Sequence, residues 1–135
     1  MMTDPSEIPA AQPFDLTGLV VGLERSTGRA RPLDGSQGPV RLDGYTFGAP
    51  VMTENPPHGG EMHPDADELL YLVSGRVQVH LEFDDGDHLV DVEPGQAVIV
   101  PRGIWHKVLV QEPSHLVHVT PGPGDGHRPL PPAAD

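Results

Sequence analysis

The stretch Arg76–Phe83 alternates apolar and polar residues. Val77, Val79, Leu81 and Phe83 point one way, and Arg76, Gln78, His80 and Glu82 the other. A period of two is the pattern of a strand with one buried face. Asp84-Asp85-Gly86-Asp87 follows, and such a turn predicts a hairpin. Further apolar runs predict strands at Leu16–Leu23, Val40–Met52, Glu68–Val73, His88–Val92, Ala97–Val100, Trp105–Val110 and His115–Thr120. No 11-residue window carries apolar residues at i, i+3, i+4 and i+7 without a Gly or Pro break, so little or no helix is expected. Many short strands joined by tight turns predict an all-β sandwich or barrel.

The 135 residues fit one domain, large enough to hold a core without covalent staples. Glycine (16) and proline (17) are abundant, but they punctuate the apolar runs. The expected layout is a Pro-rich extension at 1–13, a barrel at 14–120 and a Pro/Gly-rich tail at 121–135, with both ends loosely ordered. Ser26–Gly38 reads as a long polar loop.

Acidic residues outnumber basic ones by 20 to 8, giving a formal charge of −12. Such a surface repels phosphate backbones and anionic lipid, so neither nucleic acid nor membrane is an expected partner. No apolar run is long enough for a membrane span, and the start lacks a basic-then-apolar leader, so the cytoplasm is the expected location. Cysteine is absent. Thiolate nucleophiles, disulfides and sulfur-rich zinc sites are excluded, and any metal would be held by His, Asp or Glu.

One spacing carries chemistry. His63, Glu68 and Gly75 read H-x4-E-x6-G, and Gly95, Pro101, Gly103 and His106 read G-x5-P-x-G-x2-H. Two imidazoles and a carboxylate at fixed offsets around turn residues suit a divalent first-row metal. The glycines serve turn backbones, and Pro101 fixes the turn before His106.

These paired motifs resemble those of the cupin superfamily, across about Asn55 to Thr120. The resemblance implies a double-stranded β-helix, or jelly-roll, barrel. It also implies metal ligands at His63, Glu68 and His106. Glu61 stands where the family usually has a further His, and Val110 where it has Asn. Residues 61 and 63 share a strand face, roughly 6–7 Å apart, so both side chains can reach one ion. With Glu61 as fourth ligand, two carboxylates neutralise a divalent ion, which weakens its Lewis acidity. Oxygen ligands shift preference away from copper toward Fe, Mn or Zn, with Ni also possible. If Glu61 stays free, the remaining two-His, one-carboxylate set suits Fe(II) oxygen chemistry, and Glu61 becomes a general base.

Other residues are weaker candidates. His115 and His118 lie on opposite strand faces, so one points inward. His118 is an acid–base candidate beside Glu61. His58 is a rim residue that could swing inward, His80 is solvated and His88 sits at a turn. Asp65 and Asp67 are turn formers, and Trp105 faces away from His106 into packing. Tyr45, Phe47, Met52 and Tyr71 are pocket-wall or core residues, and Arg41, on the face of Tyr45 and Phe47 by period two, is read as a solvent-exposed arginine, with a clamp for a substrate carboxylate as the alternative. Two functions follow. One is a small metal-dependent enzyme acting on an oxygenated organic substrate, of dioxygenase, isomerase or lyase type. The other is a non-catalytic small-molecule-binding protein for sensing, storage or an auxiliary role. The resemblance also implies a homodimer that covers exposed strand edges.

Overall fold

The computed structural model describes residues 4–36 and 40–132. Apart from a 3-10 turn at Pro5–Glu7, the described elements are strands: β1 (Val20–Glu24), β2 (Ala30–Leu33), β3 (Gly44–Gly48), β4 (Val51–Met52), β5 (Gly60–Met62), β6 (Glu68–Phe83), β7 (Gly86–Val92), β8 (Ala97–Val100), β9 (Trp105–Gly122) and β10 (Gly126–Arg128). All pairings are antiparallel. Among the described residues, no helix is long and apolar enough to cross a membrane.

Two long strands organise the molecule. β6 and β9 pair along their lengths, from Leu69↔Val119 to Glu82↔Trp105. The first half of β6 also pairs with β8, and its second half with β7. The late part of β9 pairs with β3 and its early part with β5. Each long strand therefore serves both ends of the barrel.

Four expected strands thus merge into two. The reason lies at Gly75. Buried positions are even-numbered at Leu70 and Leu72 but odd-numbered at Val77, Val79 and Leu81. Alternation can change phase only through a bulge, and the β6–β9 register shifts between Leu72 and Val77. Gly75 has φ +91°, and a Cβ there would collide with the Pro113 carbonyl and the Ser114 hydroxyl. Only glycine fits that conformation in that space. The bulge lets one strand bury leucines at one end and valines at the other. Both sets join Val92, Val100, Val108 and Leu116 in one core.

Elsewhere the chain departs from expectation for local reasons. Asp15 accepts both the backbone N–H and the hydroxyl of Thr17, so the strand expected from Leu16 starts only at Val20. The expected polar loop contains β2, an edge strand whose Pro32 obscures its pattern; Gln37 and Gly38 lie outside the described residues. Ala49-Pro50 interrupts Val40–Met52, because proline cannot donate to a ladder. His88 belongs to β7 rather than to a turn. Gly126–Arg128, expected as loose tail, pairs with β5, with His127 opposite Glu61. Residues 1–3 and 133–135 of the expected loose ends lie outside the described residues.

Candidate metal centre

Neighbouring strands deliver the four groups. Glu61 and His106 are direct cross-strand partners on β5 and β9, so their side chains share a face. His63 follows β5 on the same face, and Glu68 opens β6. Gly103 N–H donates to the His63 carbonyl at 2.8 Å, tying the Pro101–Gly103 turn to the first histidine. One ligand atom from each of Glu61, His63, Glu68 and His106 lies within 4.8 Å of the other three. His63, Glu68 and His106 are each 2% exposed, whereas Glu61 keeps 25% of its side chain exposed. The cluster is thus sealed on three sides and open at Glu61.

The histidines aim the same way. His106 Nδ1–H donates to the Ile104 carbonyl at 3.0 Å, which leaves Nε2 facing Glu68 Oε1 at 2.8 Å and Glu61 Oε1 at 3.5 Å. His63 Nε2 lies 3.3 Å from Glu68 Oε2 and 3.7 Å from Glu61 Oε1. Yet it is buried without a well-directed hydrogen bond. A buried nitrogen so placed among carboxylates lacks the partner that burial normally demands. Two imidazole nitrogens and two carboxylates form a set that could hold a divalent ion.

Without a cation the cluster keeps protons. Burial opposes charge on His63, but close contacts with Asp125, Glu61 and Glu68 outweigh it and lift its pKa to about 12. Burial likewise opposes charge on His106, and Glu61 and Glu68 lift it to about 9. Burial pushes both carboxyls up, yet the two imidazoles hold Glu61 and Glu68 below the usual carboxylate range.

Beyond the cluster opens a cavity of about 630 Å³. Met52, Leu70, Val108 and Leu116 give it apolar walls, and His58, His118, His127 and Arg41 add polar groups. His118 points inward, and His115 is not among the lining residues. Thr120 donates its hydroxyl proton to Glu68 Oε2 at 2.7 Å. It therefore accepts from His118 Nδ1–H at 2.8 Å, which leaves the His118 Nε2 lone pair free. That edge of the ring lies against Gly48, where any Cβ would strike it. Burial holds the His118 pKa down, although Glu68 and Glu61 pull it upward.

His58 stays at the rim, its Nδ1 accepting from Gly60 N–H at 3.1 Å, and burial holds its pKa down as well. Met52 lines the cavity, whereas Tyr45, Phe47 and Tyr71 do not. Arg41 reaches the cavity although Tyr45 and Phe47 do not, because β3 begins only at Gly44 and period two does not extend back to 41. Trp105 faces away from the cluster and carries the Arg128 guanidinium 4.0 Å above its ring.

Three residues near the site were not among the candidates: Thr120, which shares the His118 face of the expected strand 115–120, and Asp125 and His127, which carried no periodic signal. Asp125 Oδ1 lies 3.1 Å from His63 Nδ1, and His127 Nε2 lies 3.4 Å from Glu61 Oε2. Asp125 and His127 sit in Gly-Pro-Gly-Asp-Gly-His, where only an acid and a histidine two apart hinted at a site.

A family model described as a cupin domain matches residues 51–120. Similar solved structures include a cupin-2 domain-containing protein from Shewanella frigidimarina, at 21% identity and TM-score 0.47, covering 61% of this chain and 74% of that one. Oxalate decarboxylase from Bacillus subtilis aligns at 15% identity and TM-score 0.52, covering 62% of this chain and 23% of that one. Another structure of that decarboxylase, a protein with Mn(II) centres, aligns at 16% identity and TM-score 0.52, covering 64% and 24%. At these identities the likeness is one of fold. No curated protein matches the chain.

Proposed function

The chain belongs to the cupin domain family, and from that premise we propose that it is a small metal-dependent enzyme acting on an oxygenated organic substrate. The observation that carries this is the buried Glu61–His63–Glu68–His106 cluster opening onto an apolar-walled cavity. His63, Glu68 and His106 hold a divalent ion of the Fe, Mn or Zn type, and Glu61 completes the set from the open side. When bound, such an ion polarises a carbonyl or enol oxygen of the substrate.

The remaining work falls to side chains. The walls exclude water and seat the apolar body of the substrate. His118 is the acid–base candidate: its Nδ1–H is committed to Thr120, so Nε2 can take a proton. The oxygenated end meets a centre whose two carboxylates cancel a divalent charge. Neutral or singly charged substrates are therefore favoured over dianions.

The test is elemental analysis of protein purified without added metal, followed by assays of the Fe, Mn and Zn forms on enols, keto acids and catechols. One equivalent of metal with turnover supports the proposal. Metal without any turnover points instead to a binding protein. Glu61→Ala should weaken metal affinity by about tenfold or more, with Glu61→His retaining it. Unchanged affinity in Glu61→Ala would move Glu61 from ligand to base.

The chain also pairs with a second copy, in our proposal. Val21, Phe47, Val119, Leu69 and Ile99 are cross-strand neighbours on adjacent strands, about 20 Å across at ordinary strand spacing. Leu69, Tyr71 and Ile99 are 39%, 39% and 66% exposed. An apolar band of that breadth is wide enough for a contact between two copies, and it has to outweigh the repulsion of two chains of charge −12. Leu69→Lys should convert the sedimenting dimer to a 14.5 kDa species. A wild-type chain already sedimenting at that mass would end the proposal.

A further inference from the structure

We propose that Asp125 is the positioning residue for His63, and that Arg41 clamps the segment carrying it, so that metal affinity depends on docking of residues 122–128. This rests on the metal reading above and goes beyond it, because Asp125 lies outside residues 51–120.

The two histidines face one physical problem. An imidazole that binds an ion through Nε2 carries its proton on Nδ1, and whatever accepts that proton sets the ring's tautomer and orientation. His106 uses the Ile104 carbonyl of its own strand. His63 has no such neighbour. The group at its Nδ1 is Asp125 Oδ1, at 3.1 Å, with both side chains at most 6% exposed. Neither atom has a well-directed hydrogen bond to any group, and each is the other's close polar neighbour. A buried carboxylate oxygen left alone is costly, so this pair belongs together. A carboxylate here also makes the ring a stronger base than a carbonyl would.

Asp125 is far from His63 in sequence, and several contacts hold it in place. Arg41 Nη1 donates to the carbonyls of Pro123 at 3.1 Å and Asp125 at 2.9 Å. Gly124 N–H donates to Asp65 Oδ2 at 2.7 Å, so Asp65 anchors the tail from the loop between His63 and Glu68. Beyond Asp125, β10 pairs with β5, and Arg128 binds Glu82 at 2.7 Å while stacking on Trp105. The tail is thus fastened on both sides of Asp125. Arg41 makes no contact with the four clustered groups and acts only through the tail's backbone.

The experiment measures Zn²⁺ affinity by competition with a chromophoric chelator for wild type, Asp125→Ala, Asp125→Asn, Arg41→Gln and the Arg41→Gln/Asp125→Ala pair. Circular dichroism tracks folding, and ring-¹⁵N NMR reads the His63 Nδ1 proton. Asp125→Ala should bind Zn²⁺ about 10–100-fold more weakly, the range for loss of a group supporting a ligand. Asp125→Asn, which keeps an acceptor oxygen, should fall between it and wild type. Arg41→Gln should weaken binding in the same direction and add little to Asp125→Ala. The Nδ1 proton signal should move in both Asp125 variants but not merely with global stability. A folded Asp125→Ala with wild-type Zn²⁺ affinity overturns the proposal. If that variant does not fold, unchanged affinity in Arg41→Gln overturns it instead. Wild type that binds no Zn²⁺ removes the metal reading itself, and this inference with it.

Discussion

His106→Ala is expected to strip the site of metal and to destabilise the fold even without metal. Affinity should fall by more than about 100-fold, beyond the loss expected for a supporting group. The ring supplies a ligand nitrogen whose tautomer the Ile104 carbonyl already sets. The second effect comes from Glu68. That carboxylate is 2% exposed and accepts from His106 at 2.8 Å and from Thr120 at 2.7 Å. Removing one partner of a buried ion pair costs roughly 3–5 kcal/mol. Here the low end is expected, because His63 stays 3.3 Å away. Chelating wild type should behave differently: it loses the ion, yet both imidazoles remain to accept protons. Urea unfolding of wild type with and without chelator, beside His106→Ala, separates the effects. A variant that keeps stoichiometric metal, or is as stable as chelated wild type, would contradict this account.

How legible the molecule was follows from where periodicity survives. The alternation of 76–83 identified half of β6 without help. It could not show that β6 continues back to Glu68, because the phase change at Gly75 looks like a break when only spacing is available. The same holds for β9, whose exposed Gln111–Pro113 reads as a turn. His63, Glu68 and His106 stood out by their spacing around turn residues, Glu61 only through the resemblance to the cupin motif, and the fold brings those four together. Asp125 and His127 reach the same place through a Gly- and Pro-rich stretch with no period. Their approach depends on Arg41 and Asp65, far away in sequence. Long-range docking of irregular backbone leaves no local trace, and that is where the reading along the chain fell short.

Metal uptake should release about two protons per ion, and apparent affinity should rise about 100-fold per pH unit below pH 9. The cluster carries two negative charges when its imidazoles are neutral. Either one divalent cation or two protons can balance them. Metal-free, His63 and His106 titrate at about 12 and about 9, so both are protonated at neutral pH, while Glu61 and Glu68 are held ionised. Both nitrogens have to lose their protons before binding an ion. Above pH 9 only His63 still gives one up, and the slope should halve. The stability of the metal-free chain carries the matching sign. Folded histidine pKa values are raised, so their contribution is complete below about 6.5 and is lost as pH rises, first through about 9 and then through about 12. The carboxylates' contribution is present above about 4.5 and lost as pH falls. The stability gained from metal follows the apparent affinity, so it should widen steadily as pH rises toward about 9 and more slowly above it. Calorimetric titration in buffers of different ionisation enthalpy counts the protons directly. A count near zero at pH 7.5 would mean the histidines are already neutral, and the exchange of protons for metal would be wrong.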